Sequence, residues 1–355
     1  MKILFVNRKN AYTLNGGDTM QMENTMKELK LLGNDIQVSL GENSISYYKK
    51  FDVIHFFNMQ TDKFTLKEVE KIKKTKAKLV LSPIWWDFEE ENIKNEKGYS
   101  KKAILASKII GIENIKILKI KNLMMRYKRM KKILNKVDVI LPNSNSEIKL
   151  INEKFGISNG KMHVVYNGIS KIYQDESIQV NGARNFALQV GRIEPSKNTL
   201  LTIKACKKNG IALKLVGRII DKDYYNECLD EIEGSEIEFL GVKTQKELVD
   251  IYNKSKLHIL PSERETPGLV SLEAGAMGCK IVSTEIGCAH EYFLERAFYC
   301  NPNEYTKMEK TIKEAWDSEG KWDLAKEIRE NFTWENAAKI TNEIYENIAG
   351  GNYEK

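Results

Sequence analysis

The sequence predicts an α/β chain of two doubly wound domains, each a parallel sheet covered by helices on both faces. Three observations carry that expectation. Short apolar runs alternate with longer stretches of helical period. The alternation occurs twice, on either side of a polar, aperiodic stretch at 170–184 that reads as a linker. At 355 residues the chain also has the length of about two domains.

In the first set, the runs at 3–6, 36–40, 52–57, 78–82 and 138–141 read as strands, rich in Val, Ile, Leu and Phe. Residues 20–32 have helical period and stop at Gly33, a C-cap position. Asn167-Gly168 closes the set. The second set has strands at 186–190, 212–216, 237–240, 257–260, 280–284 and 297–300. Beyond Gly320 the chain turns helical and ends on an amphipathic segment at 334–348. The expected organisation is a first domain of 1–169, a second of 184–331 and a terminal helical segment. Open parallel sheets take ligands at the carboxyl ends of their strands, so the loops after strands, facing a cleft between the domains, are where chemistry is expected.

Composition excludes several classes. With 42 % apolar and 30 % charged residues, the chain is neither disordered, fibrous nor a disulfide-stapled miniprotein. No apolar run approaches the ~18–20 residues of a membrane span. The opening Met1-Lys2-Ile3-Leu4-Phe5-Val6-Asn7 is too short for a signal peptide and reads as a strand, so a cytoplasmic location is expected. The net charge of +7 is unevenly placed: 94–136 holds fourteen Lys or Arg against two acids. Interleaved apolar residues there suit a helix on an anionic membrane surface, and equally a solvated face over the first domain. Few arginines and little aromatic interleaving argue against nucleic acid. The five cysteines (206, 228, 279, 288, 300) form no zinc spacing and read as reduced core residues; no metal site is expected.

The richest stretch is Leu260-Pro261-Ser262-Glu263-Arg264-Glu265-Thr266-Pro267-Gly268-Leu269-Val270-Ser271-Leu272-Glu273-Ala274. A strand ends at Pro261, a polar loop follows, and a helix opens near Gly268 with Pro267 at its start. Free N–H groups and the positive dipole end make an anion site there. Glu265 before that terminus and Glu273 within the helix fit hydrogen bonds from ligand hydroxyls, so a nucleotide sugar would answer both features. The plainer alternative is a capped helix with two solvated glutamates. A second strand–loop–helix junction, Val190-Gly191-Arg192-Ile193-Glu194-Pro195-Ser196-Lys197-Asn198, offers Arg192 as a planar fork and Lys197 as a mobile charge for phosphate oxygens. Taken singly, either is as well read as an exposed cation.

These motifs together resemble the retaining GT-B glycosyltransferases of family four (glycosyl transferases group 1). The resemblance rests on Gly191-Arg192 with Lys197-Asn198, and on Glu265 and Glu273 in the frame Pro-Ser-x-x-Glu-x-x-Gly-x-x-x-x-Glu-Ala. Val165-Tyr166-Asn167-Gly168, Lys214-Leu215-Val216-Gly217, Leu240-Gly241-Val242 and Phe332-Thr333-Trp334-Glu335 resemble flanking pieces of the same family. It implies two facing Rossmann-like domains, an acceptor-side one of 1–169 completed by the helix 334–355 and a donor-binding one of 184–331, with Arg192 and Lys197 on the donor diphosphate. Glu265 would meet the sugar hydroxyls, with help from backbone amides around Pro267, Gly268 and Leu269, and Glu273 the ribose diol. Gly16 and Gly17, ahead of Asp18, would form a flexible glycine loop facing donor phosphate and acceptor; outside the family context they read as an ordinary turn.

One departure stands out. Family members carry a His after a first-domain strand, where this chain reads Val80-Leu81-Ser82-Pro83-Ile84-Trp85-Trp86-Asp87. His55, within the third strand, reads better as hydrogen-bonded scaffolding. Trp85 and Trp86 suit either acceptor stacking or core, and Asp87 is the candidate to orient the acceptor hydroxyl. Asp221-Lys222-Asp223 has the form of a metal motif from another fold but sits where helix capping explains it.

The expected activity is therefore metal-independent, retaining transfer of a sugar to a hydroxyl of a glycan, lipid-linked or protein acceptor, in bacterial surface-glycan synthesis. The resemblance favours a UDP-linked donor over a GDP-linked one. A nucleotide-sugar 2-epimerase and a non-catalytic partner subunit of the same fold are the alternatives.

Overall fold

The computed structural model describes residues 1–14, 16–87, 93, 111–175, 184–319 and 324–350. The chain divides into two units, Met1–Val165 with Ile340–Lys355, and Tyr166–Lys339.

The first unit runs β1 (Lys2–Val6), α1 (Gly17–Leu31), β2 (Asp35–Ser39), α2 (Ile45–Tyr48), β3 (Val53–Phe57), α3 (Asp62–Ile72), β4 (Lys78–Ser82), α4 (Ile112–Lys136), β5 (Val139–Ile140) and α5 (Asn145–Phe155). All pairings are parallel, in the order β2-β1-β3-β4-β5. Every residue of β3 is buried, as expected of a strand covered on both faces. Leu4, Ile54, Leu79 and Leu81 pack with Met130, Ile133 and Leu134 of α4 and Ile151 of α5 in one core. Ser144 caps α5 by accepting from Glu147 N, and Gly156 ends it in the left-handed region. Helix α1 starts at Gly17, earlier than the apolar period at Met20 indicates, because Asp18 and Thr19 are drawn inside and buried.

The second unit continues β6 (Phe186–Val190), α6 (Thr199–Lys208), β7 (Leu213–Val216), α7 (Lys222–Ile232), β8 (Ile237–Gly241), α8 (Gln245–Lys254), β9 (Ser255–Leu260), α9 (Leu269–Ala276), β10 (Lys280–Thr284), α10 (Ala289–Phe293), β11 (Phe298–Cys300), α11 (Tyr305–Asp317) and α12 (Leu324–Asn331). Its parallel sheet has the order β11-β10-β9-β6-β7-β8. The chain builds outward from β6 to β8 on one side and from β9 to β11 on the other, so the order reverses between β6 and β9. Asp221 accepts from Tyr224 N at 3.0 Å as the N-cap of α7, the role capping assigns it. All five cysteines are free and buried.

The stretch at 170–184 is more structured than its composition indicates. Lys171–Tyr173 is a 3-10 turn whose Tyr173 is fully buried against the ring of Tyr252. Arg184 donates to Ser255 O (2.8 Å) and Met277 O (2.7 Å). A large ring and a guanidinium with these partners belong to the second unit's packing; 176–183 lie outside the described residues.

Two distant sequence motifs meet in this unit. Ile169 N donates to Phe332 O at 2.9 Å, and a Cβ on Gly168 would lie 2.2 Å from the Thr333 carbonyl carbon, so only glycine fits. There the last helix, α13 (Trp334–Ala349), begins. From Ile340 it belongs to the first unit, where Asn342 accepts from Asn34 Nδ2 (2.8 Å) and Tyr345 Oη meets His55 Nδ1 (2.6 Å).

Candidate functional site

The reversal of strand order sets the loops after β6 and β9 side by side, the place where open α/β sheets take ligands. The two loops are tied together. Glu263 N donates to Ser196 O (2.9 Å), and Asn198 Nδ2 donates to Pro261 O (2.7 Å) and Pro302 O (3.1 Å). Across them Lys197 Nζ meets Glu265 Oε1 at 2.6 Å. Two glycines make this geometry possible. A Cβ on Gly217 would lie 1.7 Å from Gly191 O, and one on Gly287 would lie 1.9 Å from Glu265 O. Both have positive φ.

Helix α9 opens directly beyond Glu265. Its N-cap is Gly268 at φ 90°, no side chain caps it among the described residues, and its first turn holds no acid. The first amides of a helix have no partner within it, so an uncapped start offers donors and positive dipole to an anion. Pro267 does not occupy the first helical position; it precedes the Gly268 cap and is joined to Thr266 by a cis peptide. A Cβ on Gly268 would fall 3.3 Å from Glu265 Oε2 and 3.4 Å from Ser271 Oγ, which shows how closely Glu265 and the helix start approach.

Arg192 sits on the same loop as Lys197, half exposed, with Nη2 2.7 Å from Glu194 Oε1. Glu273 lies one turn inside α9, where Tyr252 Oη donates to its Oε2 at 3.2 Å. Burial pushes the Glu273 carboxyl up to about 7 despite the hydroxyls of Tyr252 and Tyr173 that favour its charge. Burial, with Glu273 close by, raises both phenols. Thus Lys197, Glu265, Gly268 and Leu269 are brought together at one helix start, with Glu273 behind it and Arg192 on the adjoining loop. Ile219, Ile220 and Val242 are exposed where the chain leaves β7 and β8.

The first unit holds the other candidates. Gly16 is the extended N-cap of α1 and Gly17 its first residue. Beneath them Arg8 grips Asp18 with two bonds, Nε–Oδ2 2.7 Å and Nη2–Oδ1 3.0 Å. Asp87 accepts from Tyr127 Oη and pairs with Lys154 Nζ at 2.7 Å. Trp85 is core: 2 % exposed, against Phe155 and Tyr127. His55 is scaffolding, with Nδ1 on Tyr345 and Nε2 on Ser82 Oγ (2.9 Å), and burial lowers its pKa to about 3.

Sequence reasoning missed Arg8, Glu194, Tyr173 and Tyr252. Only Tyr252 had a signal, a phenol on the apolar face of α8, whose hydroxyl needs a buried partner. Among the described residues no group of three or more His, Cys, Asp or Glu side chains is arranged to hold a metal.

Residues 171–333 match the family described as glycosyl transferases group 1. The match falls within the second unit. The chain is also similar to curated proteins. An uncharacterized glycosyltransferase of Methanocaldococcus jannaschii is 27 % identical over 198 residues, 52 % of this chain and 54 % of that protein. An O-antigen chain mannosyltransferase of Salmonella typhimurium is 25 % identical over 176 residues, 46 % of each chain. The chain spans about half the length of these curated relatives. An Anabaena protein solved in complex with UDP superposes with a TM-score of 0.67 at 17 % identity, covering 97 % of this chain and 99 % of that one. The fold is thus GT-B, two Rossmann-like domains.

Proposed function

We propose that this chain is a retaining, metal-independent glycosyltransferase. It moves a sugar from a nucleoside diphosphate donor to a hydroxyl of a glycan, lipid-linked or protein acceptor in bacterial surface-glycan synthesis. The observation that carries the proposal is the uncapped start of α9 beside the Lys197–Glu265 pair, at the reversal of strand order.

The α9 amides, Lys197 and Arg192 take the diphosphate. As Lys197 turns to phosphate, Glu265 is released to accept sugar hydroxyls, and Arg192 exchanges Glu194 for phosphate oxygen. Glu273 accepts the ribose diol, and the exposed Ile219, Ile220 and Val242 offer apolar surface to the base. In transfer the bond from sugar C1 to phosphate oxygen breaks and a bond from C1 to the acceptor oxygen forms on the same face. The acceptor proton passes to the departing phosphate. The charge gathering on the diphosphate meets two cations and a helix dipole already in place, which is the work a metal does elsewhere. In the first unit Asp87 is the group proposed to orient the acceptor hydroxyl, and to do so it has to leave Lys154. Uridine is the proposed base, in keeping with the UDP bound by the Anabaena protein; the O-antigen relative supports a glycan acceptor.

The test is thermal stabilisation by UDP, GDP, ADP and CMP in EDTA, on the natural chain and Glu273→Ala. At about a hundred times its Kd a bound nucleotide adds ~2.7 kcal/mol. UDP is expected to stabilise without metal and to lose that effect in Glu273→Ala; silence from all four nucleotides would refute the donor site. Turnover unchanged in both Arg192→Ala and Lys197→Ala would remove those residues from it, and a product of inverted anomeric configuration would overturn retention.

A further inference from the structure

Helix α4 has two faces of different character. Inward, Ile115, Leu123, Tyr127, Met130, Ile133 and Leu134 are buried in the first unit's core. Its arginines serve the fold, since Arg126 and Arg129 both pair with Asp62. Outward, Ile117, Leu118, Met124 and Met125 are 47–52 % exposed, four of the fourteen large apolar side chains exposed among the described residues. Lys121, Lys128, Lys131 and Lys132 share that side, all exposed and without an ion pair among the described residues.

At 100° per residue, positions 117, 121, 124 and 128 fall on one line along the helix, and 118, 125 and 132 on the next. The apolar and cationic side chains therefore form one stripe, roughly 22 Å long at 1.5 Å per residue. Charge on this helix is one-sided: nine Lys or Arg against Glu113 alone.

We propose that this outer face docks the protein on an anionic lipid surface, lying in the headgroup plane. The chemistry selects that occupant. Isolated lysines spread along an apolar stripe match a diffuse sheet of negative charge, and their aliphatic stems lie along apolar surface while the ammonium groups stay wet. Methionine side chains adapt to a fluid partner. No helix among the described residues is long and apolar enough to cross a membrane, which is consistent with a helix that lies on one. The remainder of the basic segment, 94–110, lies outside the described residues and takes no part in the argument, and the proposal is independent of the transferase reading.

The test is flotation of the full chain with vesicles of phosphatidylglycerol and phosphatidylcholine, against phosphatidylcholine alone. Binding is expected on the anionic vesicles only and to weaken at about 0.5 M salt. Each lysine near the surface contributes about five-fold in affinity. Lys128→Glu with Lys132→Glu is therefore expected to lose at least about 25-fold. Met124→Glu with Met125→Glu is expected to lose binding at low salt as well. These positions are exposed, and an unchanged melting temperature establishes that each variant is folded; Met124→Ser with Met125→Ser serves if either is not. Equal binding to neutral vesicles, no binding to anionic ones, or variants that bind like the natural chain would overturn the proposal. So would retention of an RNA oligonucleotide, lost in the lysine variant, with no vesicle binding.

Discussion

Helices α1 and α9 begin alike and differ in what their beginnings are for. Each follows a parallel strand, and each has a glycine as N-cap with no side-chain cap, Gly16 and Gly268. At α1 the first turn contains Asp18, buried and gripped by Arg8. The positive end of the helix is compensated from within, by a carboxylate with its own cation. At α9 the first turn has no acid, and the nearest carboxylate, Glu265, stands outside the helix on a lysine from another loop. At α9 the uncapped helix start and the Lys197–Glu265 pair lie together. The same local geometry is closed in one unit and open in the other, and the difference lies in where one acid sits.

The largest expected effect is at the support of the open site. Gly217→Ala drives a Cβ into the Gly191 carbonyl, and a loss of roughly 3 kcal/mol or more is expected, together with nucleotide binding. Urea unfolding and the UDP shift measure the two; a variant of natural stability that still binds UDP would show that the loop after β6 does not depend on this contact.

At the closed helix start, Arg8→Met strands the Asp18 carboxylate, and a cost of ~3–5 kcal/mol is expected. Adding Asp18→Asn is expected to recover part of it. If Arg8→Met proves neutral, the pair does not hold α1.

The next effect sharpens the contrast through pH. The folded Glu273 carboxyl titrates at about 7, above its ordinary 4.5, so the folded state holds the proton more tightly. The stability this supplies is full below the ordinary value and lost as pH rises through about 7. Glu273→Gln is therefore expected to be more stable than the natural chain by roughly 1–3 kcal/mol above pH 7, and to show no gain near pH 4. Melting curves across that range, with and without UDP, would show stability gained where binding is lost. A gain independent of pH would contradict it.

The smallest effect is Gly17→Ala. A Cβ there meets nothing within 4 Å and the residue is already helical, so a gain of ~0.5–1 kcal/mol is expected. A loss would mean that the glycine is needed for something other than its backbone.

Much of this was legible in the residues. The bounds of β4, β6 and β10 follow from their apolar runs, although Ser82, Gln189, Ser283 and Thr284 are buried among them. The loops after β6 and β9 were legible because glycines, a helix start and charges cluster within a few residues. What sequence could not show is which charges meet. Lys197 and Glu265 are brought together by the pairing of β6 with β9 and the bonds between the loops that follow. Arg8 and Asp18 meet because a loop turns back, and Tyr252 reaches Glu273 from the preceding helix, α8. Pro267 was misplaced by one step because Gly268, not the residue before it, carries the cap.

The last helix has a consequence for how the chain is made. Residues from Ile340 onward belong to the first unit, and Tyr345 and Ile348 are buried there. Chains emerge from the ribosome N-terminus first and fold domain by domain. Here the unit that begins first is completed last, after the whole of the other has been synthesised. Until Tyr345 arrives, His55 in the middle of the first sheet lacks its Nδ1 partner, and the nascent first unit exposes the face that α13 later covers. A chain synthesised only as far as Lys339 therefore holds every residue of the second unit while the first still lacks Tyr345 and Ile348.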